Sequence, residues 1–343
     1  MNTPISRRRR LLSLSTLSTF STFSALSTLS APAMLAWPTI ARAQAPAYPS
    51  RTVSIIVPFG GGNAYDLMVR YIAERLQEAT GQPFIVDAKQ GALGGIAASH
   101  VARSAPDGYT ILFGANSTHA ANVHLFKKLA YDPVADFAPV TTLATIPQVL
   151  VASTTLDVKT QQEFIALARS QPGKLNYGSS SATGRVASEA FKRAAGIDAV
   201  HVPYRTSAQA ITDLVGGQLH FLVTDAALGI AQAQGGKVRA LGISSAKRVP
   251  SAPDLPTIAE GGLPGFEFTA WLALFLPART PPEIVNRLAA LTNTVVRSAG
   301  MQTALGRLHA EAFPGDPESL RALVERDTAR WGQMIKAAGI EPE

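Results

Sequence analysis

Short apolar runs alternate with amphipathic stretches along this chain, and the alternation starts twice. Val53–Val57 has the length of a strand, and a glycine-rich turn separates it from a helical pattern over residues 66–80. There Leu67, Met68, Tyr71, Ile72, Leu76 and Ala79 recur on one face, and Gly81 marks the end. Residues 84–86 read as a second strand and 96–103 as a helix. The turn Pro106-Asp107-Gly108 then introduces a third strand over 109–113. This order demands a mainly parallel sheet with helices on its faces, because parallel neighbours need a crossover long enough to hold a helix.

The rhythm restarts with a strand over 148–152 and a helix at Gln161–Ser170, ended by Pro172-Gly173. Residues 175–177 form a strand, 186–195 a helix stopped by Gly196, 200–202 a strand, and 208–215 a helix stopped by Gly216-Gly217. Further strands lie at 219–223 and Val238–Ile243, before a proline-rich connection over 250–256. A chain of 343 residues is long for one core, and two doubly wound lobes account for the restart better than one very large sheet. The remainder is mainly helical. Thr280-Pro281-Pro282-Glu283 reads as a capping box with proline at the first helical position, opening a helix with Ile284, Leu288, Leu291 and Val295 on one face. Asp316-Pro317 opens a final helix to about Ala338. Terminal helices that return to the first lobe predict crossings near 144–149 and 266–272. The expected division is 44–145 with 270–343 as one lobe and 146–269 as the other.

The N-terminus stands apart. Arg7 to Arg10 precede a Leu/Ser/Thr/Phe/Ala-rich stretch, and Ala41-Arg42-Ala43 supplies a small-x-small cleavage pattern before Gln44. Residues 1–43 therefore read as a secretory signal peptide, which predicts periplasmic export. The run Arg8-Arg9-Arg10-Leu11-Leu12 also resembles the twin-arginine pattern, with ordinary Sec export as the alternative. The arginines of this segment, which holds no acid, account for most of the net charge of +7, so the charge gives no support to nucleic-acid binding. The chain has no cysteine, which excludes disulfides and thiolate metal sites.

Three loops that follow a strand and precede a helix lie where open parallel sheets bind ligands. The first runs from Pro58 through Phe59, three glycines, Asn63 and Tyr65 to Asp66. Glycines with free N–H groups ahead of a helix suit an anion, and the absence of a Gly-Lys-Ser/Thr ending argues against a nucleotide loop. Asp66 there has the simpler reading of a helix cap. The second is Gly114-Ala115-Asn116-Ser117-Thr118-His119. The third is Gly178-Ser179-Ser180-Ser181-Ala182-Thr183-Gly184. Small hydroxyl residues in both lobes could hold one ligand from two sides. Catalytic readings are weak. Ser180, His201 and Asp225 could be assembled as a triad on paper, but no Gly-x-Ser-x-Gly elbow supports it, and His201 is more simply a packed, hydrogen-bonded residue. No His-x-x-x-His pair or acidic cluster has metal-ligand spacing, so neither metal nor cofactor is expected.

Eight phrases in order resemble one family. They are Tyr48-Pro49-Ser50-Arg51, Val57-Pro58-Phe59 with its glycines and Asp66, Pro106-Asp107-Gly108-Tyr109-Thr110, and Tyr131-Asp132-Pro133-Val134-Ala135-Asp136-Phe137. The others are Pro172-Gly173-Lys174-Leu175-Asn176-Tyr177, His201-Val202-Pro203-Tyr204, Gly242-Ile243-Ser244-Ser245-Ala246-Lys247-Arg248 and Pro253-Asp254-Leu255-Pro256-Thr257. Together they resemble the Bug-type substrate-binding proteins of tripartite tricarboxylate transporters. The resemblance implies an α/β, two-lobed "Venus flytrap" with the ligand in the interlobe cleft, no catalytic activity, a small carboxylate as ligand and the membrane subunits of such a transporter as partners. A receptor feeding a signalling partner is the alternative. The mature chain is expected as a monomer. Carried over position by position, the resemblance points to Phe59, Gly62, Asn63 and Asp66, then Ser117 and Thr118, then Ser179, Ser180 and Thr183, then Arg205, Ser207 and Asp225. The chain departs from the family at Asn63, where a second glycine is usual. It departs again at Leu93, in place of a glycine, and at Ala226-Ala227-Leu228, in place of Asn-Leu-Pro. A less polar pocket hints at a more apolar acid.

Overall fold

The computed structural model describes residues 48–59 and 64–342. The expected signal peptide, Gly62 and Asn63 lie outside the described residues.

In the first half, β1 (Val53–Val57) pairs in parallel with β2 (Phe84–Ala88) and with β3 (Thr110–Ala115). The pleat sends alternate side chains to opposite faces. Ile55, Val57, Ile111 and Phe113 face one way, against α1 (Ala64–Thr80) and α8 (Pro282–Val296). Ile56 and Leu112 face the other way, against α2 (Gly95–Ala102), and the short α3 (Asn122–Leu125) comes after β3. The buried face of α1 is Met68, Val69, Ile72, Ala73 and Leu76. Leu67, expected on that face, is 63% exposed, so the stripe is rotated by about one residue from the predicted one.

The second half repeats the plan. β5 (Leu175–Ser179) pairs in parallel with β6 (Ala199–Pro203) and β7 (Phe221–Asp225). Phe221 and Val223 join one core with Phe164 of α4 (Gln161–Ser170) and Phe191 of α5 (Ala182–Ala195). Leu222 joins another, with Leu214 of α6 (Ser207–Val215) and Ile230 of α7 (Ala226–Gln234). Helix α7 went unrecognised in the sequence. Its small residues let it lie close to the sheet, where a Cβ on Gly229 would collide with Val149.

Two strands tie the halves together. The long β4 (Phe137–Ser153) pairs antiparallel with β9 (Thr269–Pro277) over Phe137 to Pro147. From Gln148 onward it pairs with β7 and with β8 (Val238–Ile243). Only its second part was legible. Pro139 and Pro147 disguise the first, where register shifts accommodate the irregular pairing. The adjoining apolar run of β9 also went unassigned. It is a central strand between β3 and β4, buried on both faces, with Leu272, Leu274 and Leu276 on one side and Trp271, Ala273 and Phe275 on the other. Buried aliphatic side chains of this size contribute about 1.5–3 kcal/mol each.

The C-terminal elements correct two expectations. Thr280 does not cap α8. Its hydroxyl donates to the Pro277 carbonyl, leaving Pro281 at the cap position and Pro282 at the start of the helix. A reciprocal capping box occurs instead at Thr160 and Glu163 of α4. After α9 (Ala299–Arg307) and the short β10 (Glu311–Ala312), Asp316 caps α10 (Pro317–Ala337), its carboxylate accepting from the Ser319 N–H at 2.8 Å. This helix does not return to one half alone. Leu320, Leu323 and Val324 pack with Trp271 and Phe275, whereas Trp331 and Ile335 pack with Phe268 and Phe191 of the other core. No helix among the described residues is long and apolar enough to cross a membrane.

Candidate ligand-binding cleft

Three helix starts converge on a small cavity at the ends of β5 and β7. Ser181 caps α5, its hydroxyl accepting from the Gly184 N–H at 3.1 Å, and Thr206 caps α6 in the same way through Gln209. Asp225 stands at the cap position of α7. Ser179, Ser180, Ser207, Thr224 and Asp225 all line the cavity. Each helix start carries roughly half a positive charge. The helix starts and hydroxyls can receive an anion, with the Asp225 carboxylate on the same wall engaged by Tyr65, and Arg205, two residues before Ser207, is exposed.

Two of the hydroxyls' contacts are separate pairs. Ser180 Oγ lies 2.8 Å from Ser207 Oγ, and Ser179 Oγ lies 2.7 Å from His201 Nε2. Burial lowers the His201 pKa, and the nearby Arg185 charge lowers it further. Ser180, His201 and Asp225 share no hydrogen bond among the described residues. His201 meets Ser179, and Asp225 receives the Tyr65 hydroxyl at 2.6 Å. The paper triad is thus not assembled. Among the described residues no group of three or more His, Asp or Glu could hold a metal.

Tyr65 belongs to the first turn of α1 and Asp225 to the end of β7, so their hydrogen bond joins the halves. Burial raises the Tyr65 pKa, and the Asp225 charge and hydrogen bond raise it further; the phenol stays a donor. Its ring leans on Phe59 (5.6 Å between centroids, 49°), which meets Phe113 edge-on. Gln148 lies at the limit of hydrogen bonding to the same Asp225 oxygen, at 3.5 Å. Asn116, fully buried, reaches Thr183 of α5 at 3.5 Å, a second polar contact between the halves.

Asp66 is buried and takes a fork of bonds from Arg70 Nε at 2.9 and 3.0 Å, one helical turn on; it lies inside the first turn of α1. Thr118 is 1% exposed, and its hydroxyl donates to the Ala115 carbonyl and meets His119 Nδ1, so it shapes the loop from within. Ser117, half-buried, begins a π-helical turn (Ser117–Ala121) of the kind often found beside functional sites. His119 in that turn is fully buried and stacks on Phe275 at 3.6 Å. Of the residues expected from sequence, the structure brings Ser179, Ser180, Ser207 and Asp225 to one cavity, with Thr183 and Phe59 beside the contacts described. Tyr65, Asn116 and Gln148 were missed. Tyr65 and Asn116 stood inside the loops singled out, and an aromatic residue directly before Asp66 was a usable signal.

Two α/β halves, joined by crossing strands and facing each other over helix starts and hydroxyls, define a two-lobed solute-binding protein. Residues 68–340 match the model of the tripartite tricarboxylate transporter family receptor. An adipate-bound protein of R. palustris, Rpa4515, is 37% identical, with a TM-score of 0.81 over 86% of this chain and 100% of the other. The periplasmic binding protein BugD is 30% identical, with a TM-score of 0.76 over 86% and 100%. MatC of Rhodopseudomonas palustris, solved with malate, is 34% identical, with a TM-score of 0.74 over 84% and 100%. The chain belongs to the tripartite tricarboxylate transporter receptor family, among its Bug-type binding proteins.

Proposed function

We propose that this chain is a periplasmic receptor that captures a small carboxylate between its lobes and delivers it to the membrane subunits of a tripartite tricarboxylate-type transporter. The convergence of three helix starts on a serine-lined cavity carries the reading, since it suits a carboxylate without a buried cationic side chain. The adipate and malate held by two solved relatives support it. In this reading residues 1–43 are a signal peptide removed on export. The lobes are 44–145 with 270–343, and 146–269, the end of α10 packing also against the second, and the mature protein acts as a monomer. Ser179, Ser180, Thr183 and Ser207 hold the ligand from one lobe. Phe59, Gly62, Asn63, Asp66 and Ser117 close on it or shape its seat from the other, with Thr118 supporting their loop. Arg205 guides the anion from the margin.

A thermal-shift panel containing adipate, malate, citrate, aspartate and nicotinate tests the binding step. A ligand at 100 times its dissociation constant adds about 2.7 kcal/mol to stability. A clear rise in melting temperature with at least one acid is expected, and its loss in Ser180→Leu would assign the effect to the cavity. No response to any acid would overturn the carboxylate reading.

A further inference from the structure

Away from the cleft, the first half carries a groove of about 430 Å³ between α2 and the segment leading to β4. Its floor and walls are largely apolar, with Ala92, Ile96, Phe126 and Leu129 around the buried ring of Tyr131. Ile96 is 50% exposed, so its side chain is open to a partner at the groove's edge. His100, Arg103 and Lys128 line the groove, and the exposed Lys127 lies beside them. Between Gln90 and Tyr131 the sole acid is Asp107, which is paired with Arg51 at 2.8 Å. Lys127 and Lys128 have no acidic partner among the described residues. An apolar trough whose rim is mainly basic, with the neighbouring Asp132 already accepting the Val134 and Ala135 N–H groups, matches a segment that presents apolar side chains flanked by carboxylates. A concave trough takes inserted side chains, whereas a lipid surface favours a protruding apolar face.

The groove is also tied to the cleft. Asn122 Nδ2 donates to the carbonyl of Leu93, the residue after Ala92 of the groove's wall, and to the Tyr131 hydroxyl in its floor, both at 3.2 Å. Tyr131 in turn donates at 2.7 Å to the carbonyl of Thr118, in the loop that faces the second half.

We propose that this groove is the docking site for an acidic, apolar-anchored extracytoplasmic loop of the membrane partner, and that the Asn122–Tyr131–Thr118 chain reports the state of the cleft to it. The assignment rests on the transport reading above. A photo-crosslinking amino acid at Ile96 of the full-length exported protein tests it in living cells, with the same crosslinker at Val200, an equally exposed residue of the other half, as a comparison. The expected result is a crosslink from position 96 to a loop of a polytopic membrane protein, the crosslinked peptide containing Asp or Glu. The paired charge reversals Lys127→Glu and Lys128→Glu should reduce its yield at least ten-fold without changing the melting temperature. Crosslinking from position 200 but not from 96 would overturn the groove and leave the transport reading standing. Membrane-protein crosslinks from neither position would overturn both. Crosslinks from position 96 to lipid alone, or a yield indifferent to charge reversal, would overturn the acidic-loop assignment.

Discussion

Replacing Tyr65 by phenylalanine removes one oxygen and leaves the ring against Phe59. The lost bond is short, 2.6 Å, and ends on a carboxylate, so it belongs to the class that contributes about 1.5–3 kcal/mol net. It joins α1 to the end of β7 and so exists only when the halves are together; when they part, water solvates both groups. Its removal should shift the equilibrium toward the parted form by roughly 10- to 150-fold. Where the closed form binds the acid, calorimetry with an acid from the thermal-shift panel should show weaker affinity, by up to the same factor. Small-angle scattering of the free protein should show a larger radius of gyration for Tyr65→Phe than for the parent. Asp225→Asn keeps an acceptor for Tyr65 but removes the charge, and should lie between the two. Tighter binding by Tyr65→Phe would refute the reasoning, because it would make Tyr65 a competitor for the ligand's place instead of a strut. An unchanged radius together with unchanged affinity would refute it equally.

Two further changes follow from strain and protonation. Leu93 has φ 50° and ψ 36°, a left-handed conformation costing a branched residue about 1–2 kcal/mol, and its side chain is 41% exposed. Leu93→Gly should therefore stabilise the protein by about 0.5–1 kcal/mol after the entropy of glycine is subtracted. Calorimetry should record a rise of about 1–3 °C, and a fall would mean that the leucine's packing outweighs the strain. Burial lowers the His119 pKa from its ordinary 6.5 to about 3. The unfolded chain therefore takes up a proton below 6.5 that the folded chain refuses, and stability falls as the pH drops from about 6.5 toward 3. The slope approaches about 1.4 kcal/mol per pH unit. Urea midpoints at pH 7 and pH 5 should differ less in His119→Phe than in the parent, and equal slopes would show that His119 is not the group responsible.

The parallel α/β plan was legible because its signals are local. Helices stop at Gly81, Gly196 and Gly216, and short apolar runs stand between them. What escaped depends on contacts made across the chain. The first part of β4 hides behind two prolines and is a strand because β9 pairs with it. Helix α7 has little amphipathic character of its own, and its glycine has meaning only against Val149. The site divides similarly. Serine clusters before helices announce themselves, so Ser179, Ser180 and Ser207 could be read from the chain. Tyr65 acquires a role only when a carboxylate 160 residues away arrives at its hydroxyl. Thr118 shows the opposite error: in sequence it cannot be told from an exposed hydroxyl, but its loop turns it inward onto Ala115.

Helix α10 has a mechanical consequence. It is fastened near its middle, where Asp327 accepts the Trp271 indole N–H at 2.5 Å and the Thr328 hydroxyl donates to the His119 carbonyl at 3.1 Å. Its two ends grip different cores. Any swing of one half against the other must bend this rod or slide one end along its bed, while the fastened centre moves least. The helix is thus a leaf spring laid across the hinge. In a swing of the halves its stiffness would limit how far the cleft can gape, and shortening it from the C-terminal side would soften that swing without touching a residue of the cleft.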